Sequence, residues 1–133
     1  MTPEKLLYTK THEWASIQSD PKGGKIATVG LTAFAVEALT DLVFISLPEI
    51  GRQVQANEPF GEIESVKAVS DLNSPVDGEI LAVNADLANN LETISKDPYG
   101  VGWLVKIKIS NEAKLAGLLD FAAYQKQCAE EQH

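Results

Sequence analysis

The chain has 133 residues, 44% of them hydrophobic and 7% aromatic, which suits one soluble globular domain and is too short for a second. Its formal charge of −8 and pI near 4.7 argue against a nucleic-acid partner, because phosphate binding needs clustered Lys and Arg. No apolar run approaches the roughly 18 residues of a membrane span, and a single cysteine, Cys128, excludes both an intrachain disulfide framework and a dithiol pair made from the protein's own thiols.

Glu13 to Gln18 and Lys25 to Val29 read as strands joined by the turn-forming run Ser19-Asp20-Pro21-Lys22-Gly23-Gly24. Gly30 is expected to break the second strand. A helix follows over Leu31 to Leu39, with Thr32 as N-cap and Phe34, Ala38 and Leu39 on the face that packs on the sheet. Leu42 to Leu47 is almost continuously apolar and closed by Pro48, which predicts a buried strand. After a short strand over Arg52 to Gln55, Phe60 to Val66 and Ala68 to Asn73 carry the rough two-residue alternation of half-buried strands, so they predict a hairpin with Lys67 at its tip. The flanking segments Asn57-Glu58-Pro59-Phe60-Gly61-Glu62-Ile63 and Asn73-Ser74-Pro75-Val76-Asp77-Gly78-Glu79-Ile80 echo one another with one inserted residue, which suits a sandwich of two related halves. Gly78 to Val83 reads as another strand, and Ala85 to Ser95 as polar turns with short helical pieces. Trp103 to Ile109 alternates, with Trp103, Val105, Ile107 and Ile109 on one face and Lys106 and Lys108 on the other. Asn111 and Asp120 are expected to cap terminal helices over Glu112 to Leu118 and Phe121 to about Glu130, packed through Leu115, Leu118, Leu119, Phe121 and Tyr124.

The residues support little chemistry of their own. There are two histidines, His12 and His133, one cysteine, no metal-ligand spacing and no phosphate-cradling glycine loop, so a free-standing enzyme is not indicated. His133 ends the chain and is expected to be disordered; His12 reads as a hydrogen-bonded surface residue and Cys128 as a small residue on a terminal helix. Lys67 stands out by position. Tight hairpins favour Asn-Gly or glycine pairs, and Val66-Lys67-Ala68 supplies neither. A lysine at a tip projects its amine clear of the sheet, where another enzyme can acylate it.

The run Phe60-Gly61-Glu62-Ile63-Glu64-Ser65-Val66-Lys67-Ala68-Val69-Ser70-Asp71 resembles the lipoyl-attachment segment of the H proteins of the glycine cleavage system. Four other segments resemble that family in the same order. They are Tyr8 to Trp14, Ile26 to Thr32, Asp41 to Gly51 and Asp97 to Trp103. The resemblance implies a mainly β fold, a sandwich of antiparallel sheets of the lipoyl/biotinyl hybrid-motif type with short peripheral and C-terminal helices. It also implies lipoic acid in amide linkage on Lys67. Glu64 and Gly78 would serve recognition or positioning, with Gly51 a weaker case. The loaded arm would fold into a cleft near Thr11, Glu13 and Asp71, whose carboxylates could hold a cationic amine. Implied partners are a pyridoxal-phosphate glycine decarboxylase, a folate-dependent aminomethyltransferase, dihydrolipoyl dehydrogenase and lipoyl-attaching enzymes, with no catalysis by the carrier itself. A monomer is expected, cytoplasmic and bacterial, or in the mitochondrial matrix if a transit segment has been removed. Thr11 departs from the serine usual in the family, and Leu91 and Ser95 from its proline and asparagine.

Rival readings differ at the tip. Lipoyl domains of other complexes typically carry Asp-Lys-Ala on a tethered domain, and biotin attachment favours methionine on both sides of the lysine, whereas this chain has Val66-Lys67-Ala68, no tether and only Met1. A lipoyl depot serving other complexes is an open alternative, as is an unmodified interaction module.

Overall fold

The computed structural model describes residues 2–131, so the expectation for His133 lies outside the described residues. Among the described residues nine strands form two antiparallel sheets. Strands β1 (Leu7–Tyr8), β2 (Glu13–Ser19), β3 (Lys25–Leu31), β9 (Val105–Ile109), β8 (Gly78–Val83) and β5 (Gln53–Val54) lie side by side in that order. The second sheet orders β4 (Leu42–Ser46), β6 (Pro59–Ser65) and β7 (Val69–Asn73). Inward-pointing residues of both sheets fill one core, among them Val29, Phe60, Ile63, Leu72, Ile80 and Ile107. Each such buried side chain contributes roughly 1.5–3 kcal/mol of transfer free energy. That core makes the β6–β7 hairpin a rigid pedestal.

The echoed segments turn out to bond to each other: Asn57 N donates to Ser74 O at 2.7 Å, and Ser74 N donates to Glu58 O at 2.9 Å. The two halves therefore meet beneath the hairpin. Helix α1 (Ala33–Leu39) begins where expected, with Thr32 Oγ1 accepting from Ala35 N. Helix α2 (Glu92–Lys96) and 3₁₀ turns at Ala85–Asn89 and Glu112–Gly117 fill the connections, and helix α3 (Phe121–Glu131) closes the chain. A second, aromatic cluster of Leu6, Tyr8, Trp14 and Tyr124 binds α3 to β1 and β2. Tyr8 and Tyr124 stack there at 4.4 Å.

Several expectations change. Gly30 does not break β3 but pairs with Trp14 inside it, because a Cβ there would lie 2.5 Å from the indole; the glycine makes room for the ring. On α1 it is Val36 that is buried, with Ala35 and Leu39 beside it, while Phe34 stacks on His12 and Ala38 is exposed. The apolar strand β4 is buried only at Ile45, since a three-stranded sheet covered on one face leaves Val43 and Phe44 outside. Trp103 precedes β9 and packs with the aromatic cluster under Lys106, whose Nζ lies 5.2 Å from the ring; Leu104 takes the core position instead. The first of the two terminal helices, Glu112–Gly117, is 3₁₀, a form that serves as a connector.

Candidate functional site

Lys67 occupies the tip of the β6–β7 hairpin and is exposed, with no ion pair among the described residues. Its turn is built without the positive φ angles that two-residue hairpins normally require: among the described non-glycine residues only His12, Thr40 and Asn57 have φ above zero. Ser65 replaces that chemistry. Its backbone N donates to Ala68 O at 2.8 Å, and its Oγ accepts from Lys67 N at 3.2 Å and from Ala68 N at 3.1 Å. Val66 N donates to Asp41 O at 3.0 Å, tying the tip to the start of β4. The backbone of Lys67 is thus fixed at both neighbours while its amine stays free. A covalent acyl group fits here: nothing encloses the side chain, and its attachment would displace no contact.

Glu64 is half-buried on the outer face of the small sheet, opposite Phe44 on β4 and Val69 on β7. Asp71 is exposed two residues further along that face, opposite Glu62, and lines a groove of about 600 Å³ with Ser46, Arg52, Phe60 and Glu62. Gly78 is buried between Val54 and Ile109, where a Cβ would sit 2.1 Å from Lys108 O. A buried position is out of reach of a docking enzyme, so Gly78 acts by letting β8 and β9 approach. Gly51 lies in an open turn at φ 96°.

Glu13 is fully buried, at 0% exposure. Its Oε1 accepts from Thr9 Oγ1 at 2.6 Å and Thr11 Oγ1 at 2.5 Å, and its Oε2 accepts from Asn73 N at 3.1 Å. None of these partners is charged. Burial therefore dominates and raises the carboxyl above its ordinary 4.5, against the opposing pull of the Thr11, Thr9 and Asn73 hydrogen bonds. A carboxylate has about four acceptor sites, and these three bonds occupy all but one of them. Asn73 ends β7, six residues beyond Lys67, a span of roughly 20 Å at strand rise. Thr11 is exposed and also faces a separate cavity of about 310 Å³ with Lys10, Asn57 and Lys114. The structure joins Thr11 to Glu13 and ties Glu13 to the strand of Asp71, but the Asp71 side chain lines a different groove.

Sequence reasoning missed Ser65, Thr9 and the role of His12. A serine two residues before a lysine, in a turn lacking glycine, was the available signal for Ser65. His12 adopts φ 74°, stacks on Phe34 at 4.8 Å and meets Tyr124 Oη through Nδ1 at 2.7 Å and Glu131 through Nε2 at 3.1 Å. Tyr124 Oη also meets Thr32 Oγ1 at 2.6 Å, so α3 clamps both the Thr9–Glu13 turn and the cap of α1.

A sandwich that keeps one amine free at a rigid tip, with its polar side chains spent on holding backbone rather than on a reaction centre, has the build of a carrier protein of the lipoyl/biotinyl type. Residues 6–131 match the family described as Glycine cleavage H-protein. The chain belongs to that family, whose members are lipoyl carrier subunits and not catalysts. It is 52% identical over 128 residues to the glycine cleavage system H protein of Rhodopirellula baltica, covering 96% of each chain. To that of Thermotoga maritima it is 51% identical over 124 residues, covering 93% of this chain and 96% of the relative. Its fold superposes on the crystal structure of a glycine cleavage system H protein from Mycobacterium marinum with a TM-score of 0.84 and 41% identity, covering 96% of this chain and 99% of the other. Among the described residues no helix is long and apolar enough to cross a membrane.

Proposed function

We propose that this chain is one carrier domain bearing lipoic acid in amide linkage on Lys67, and that it shuttles an aminomethyl group from a pyridoxal-phosphate glycine decarboxylase to a folate-dependent aminomethyltransferase. Lipoyl-attaching enzymes make the amide and dihydrolipoyl dehydrogenase restores the oxidised arm; the chain works as a cytoplasmic monomer. The observation that carries this reading is the free, exposed amine of Lys67 at a braced hairpin tip in a chain of this family. The attached dithiolane would supply the redox and group-transfer chemistry.

The chain's own residues do the rest. Ser65 holds the tip so that attachment changes the amine and not the turn. Glu13, buried among uncharged donors, offers its remaining acceptor site to the cationic amine of the cargo, and a charge-assisted hydrogen bond there contributes about 1.5–3 kcal/mol. Thr11 orients Glu13, Asp71 adds negative potential on the neighbouring strand, and Glu64 and Gly78 serve the attachment step, the first at the surface and the second by close backbone packing.

Glycine-dependent loading tests the reading. Lipoylated protein incubated with glycine and purified glycine decarboxylase should gain the mass of an aminomethyl group on the Lys67 peptide as carbon dioxide is released. Lys67→Arg should show neither; equal loading of that variant would sink the proposal.

A further inference from the structure

An enzyme that acylates Lys67 needs more to hold than the tip. Even weak specific contacts bury on the order of 500 Å² per partner, which two turn residues cannot supply. The footprint must spread onto one side of the hairpin. One side is taken, because Ile63 and Leu72 are fully buried in the core. The other is the open face of the β4–β6–β7 sheet, where cross-strand pairing sets Phe44, Glu64 and Val69 in one row and Ser46, Glu62 and Asp71 in the next.

This face is unusual for its composition. Of the seven large hydrophobic residues exposed among the described residues, four lie on or beside it: Val43 and Phe44 at 52%, Val69 at 60% and Val66 at 65%. Scattered exposed side chains need no explanation, but four gathered around a modification site do. A register shift between Leu42 and Phe44 marks a bulge in β4, and bulges re-aim side chains; here Val43 and Phe44 are both exposed although consecutive. Glu62, Glu64 and Asp71 share the face, and none of them is in an ion pair among the described residues.

We propose that the outer face of the β4–β6–β7 sheet, anchored on Phe44 and Val69 to either side of Glu64 and bordered by Glu62 and Asp71 in the next row, is the docking surface for the enzyme that acylates Lys67. The partner's matching surface is an apolar depression bordered by Lys and Arg. The inference rests on the reading of Lys67 as the attachment residue. In the reaction that docking serves, Nζ gives up a proton to become nucleophilic and attacks the carbonyl carbon of an activated acyl donor. The C–N bond forms, the donor's leaving group departs with the electron pair of its bond to carbon, and the nitrogen loses a second proton to give the neutral amide. Apolar contacts hold the complex, whereas the unpaired carboxylates steer its approach.

Steady-state acylation separates these roles, using the full-length unmodified chain with a purified lipoyl-attaching enzyme, lipoic acid and ATP. Phe44→Ser combined with Val69→Thr should raise KM for the chain roughly tenfold with kcat within twofold. Glu62→Lys combined with Asp71→Lys should lower kcat/KM at low salt and flatten its salt dependence. Val101→Ser, exposed but off this face, should behave as wild type and serves as the control. Far-UV circular dichroism checks that each variant is folded. Both double variants within twofold of wild type in kcat/KM would overturn the docking surface while leaving Lys67 as the attachment residue. No acylation of wild-type Lys67 would overturn the attachment reading and this inference with it.

Discussion

Replacing Glu13 by Gln removes a charge while keeping a shape. The amide can still accept from Asn73 N through its oxygen and donate to Thr9 and Thr11 through its nitrogen, so the surrounding hydrogen bonds survive. What is lost is the buried carboxylate to which the proposed function assigns the cationic amine. At about 1.5–3 kcal/mol for a hydrogen bond to a charged group, the loaded carrier should shed ammonia on the order of 10- to 100-fold faster, read as ammonia released after glycine and the decarboxylase are removed. The unmodified protein gives a second readout. Burial raises the Glu13 carboxyl above 4.5 in the folded state. A group raised on folding favours the native state fully below its unfolded pKa and loses that contribution as pH rises through the folded one. Wild-type stability measured relative to Glu13→Gln, by urea unfolding, should therefore fall as pH increases from below 4.5 towards neutrality. Ammonia release within twofold of wild type would refute the amine-holding role, and a stability difference that grows with pH would refute the account of its burial.

Ser65→Ala strips the acceptor from Lys67 N and Ala68 N, so it should cost about 1–2 kcal/mol in urea unfolding and slow acylation of Lys67 more than it lowers stability-matched controls. Gly78→Ala would push a Cβ to 2.1 Å from Lys108 O, forcing β8 from β9; thermal unfolding should show the transition lowered by several degrees or lost. Tyr124→Phe deletes the hydroxyl shared by His12 and Thr32, and hydrogen exchange should speed up at the Thr9–Glu13 turn and at the first turn of α1 together, while the hairpin tip stays unchanged.

What the sequence disclosed follows from what local pattern can encode. Alternation along Phe60–Asn73 and Trp103–Ile109 reports which side chains meet the core, and so it located the hairpin, its tip and the last strand, though not that Trp103 lies outside that strand. It cannot reveal that β4 lies in a sheet covered on one side only, so an apolar run reads as buried even where Val43 and Phe44 face outward. Resemblance placed Glu13 in a cleft, but its complete burial carries no local signal, because it depends on Thr9, four residues before it, and on Asn73, sixty residues away in sequence. Gly30 looked like a breaker since a glycine in a strand carries no sign of the ring lying over it. The site residues came chiefly from resemblance, whereas the physical reasons for them, Ser65 in the turn and backbone contact at Gly78, emerge only from long-range or side-chain geometry.

The central claim is that Lys67 carries the arm. Intact mass of the protein expressed in a lipoate-supplied host, followed by peptide mapping across Phe60 to Ile80, tests it most directly. The account predicts one lipoyl amide per chain, on Lys67 and on no other lysine. A chain left unmodified while a known acceptor in the same cells is fully lipoylated, or a lipoyl group found on a different lysine, would contradict it.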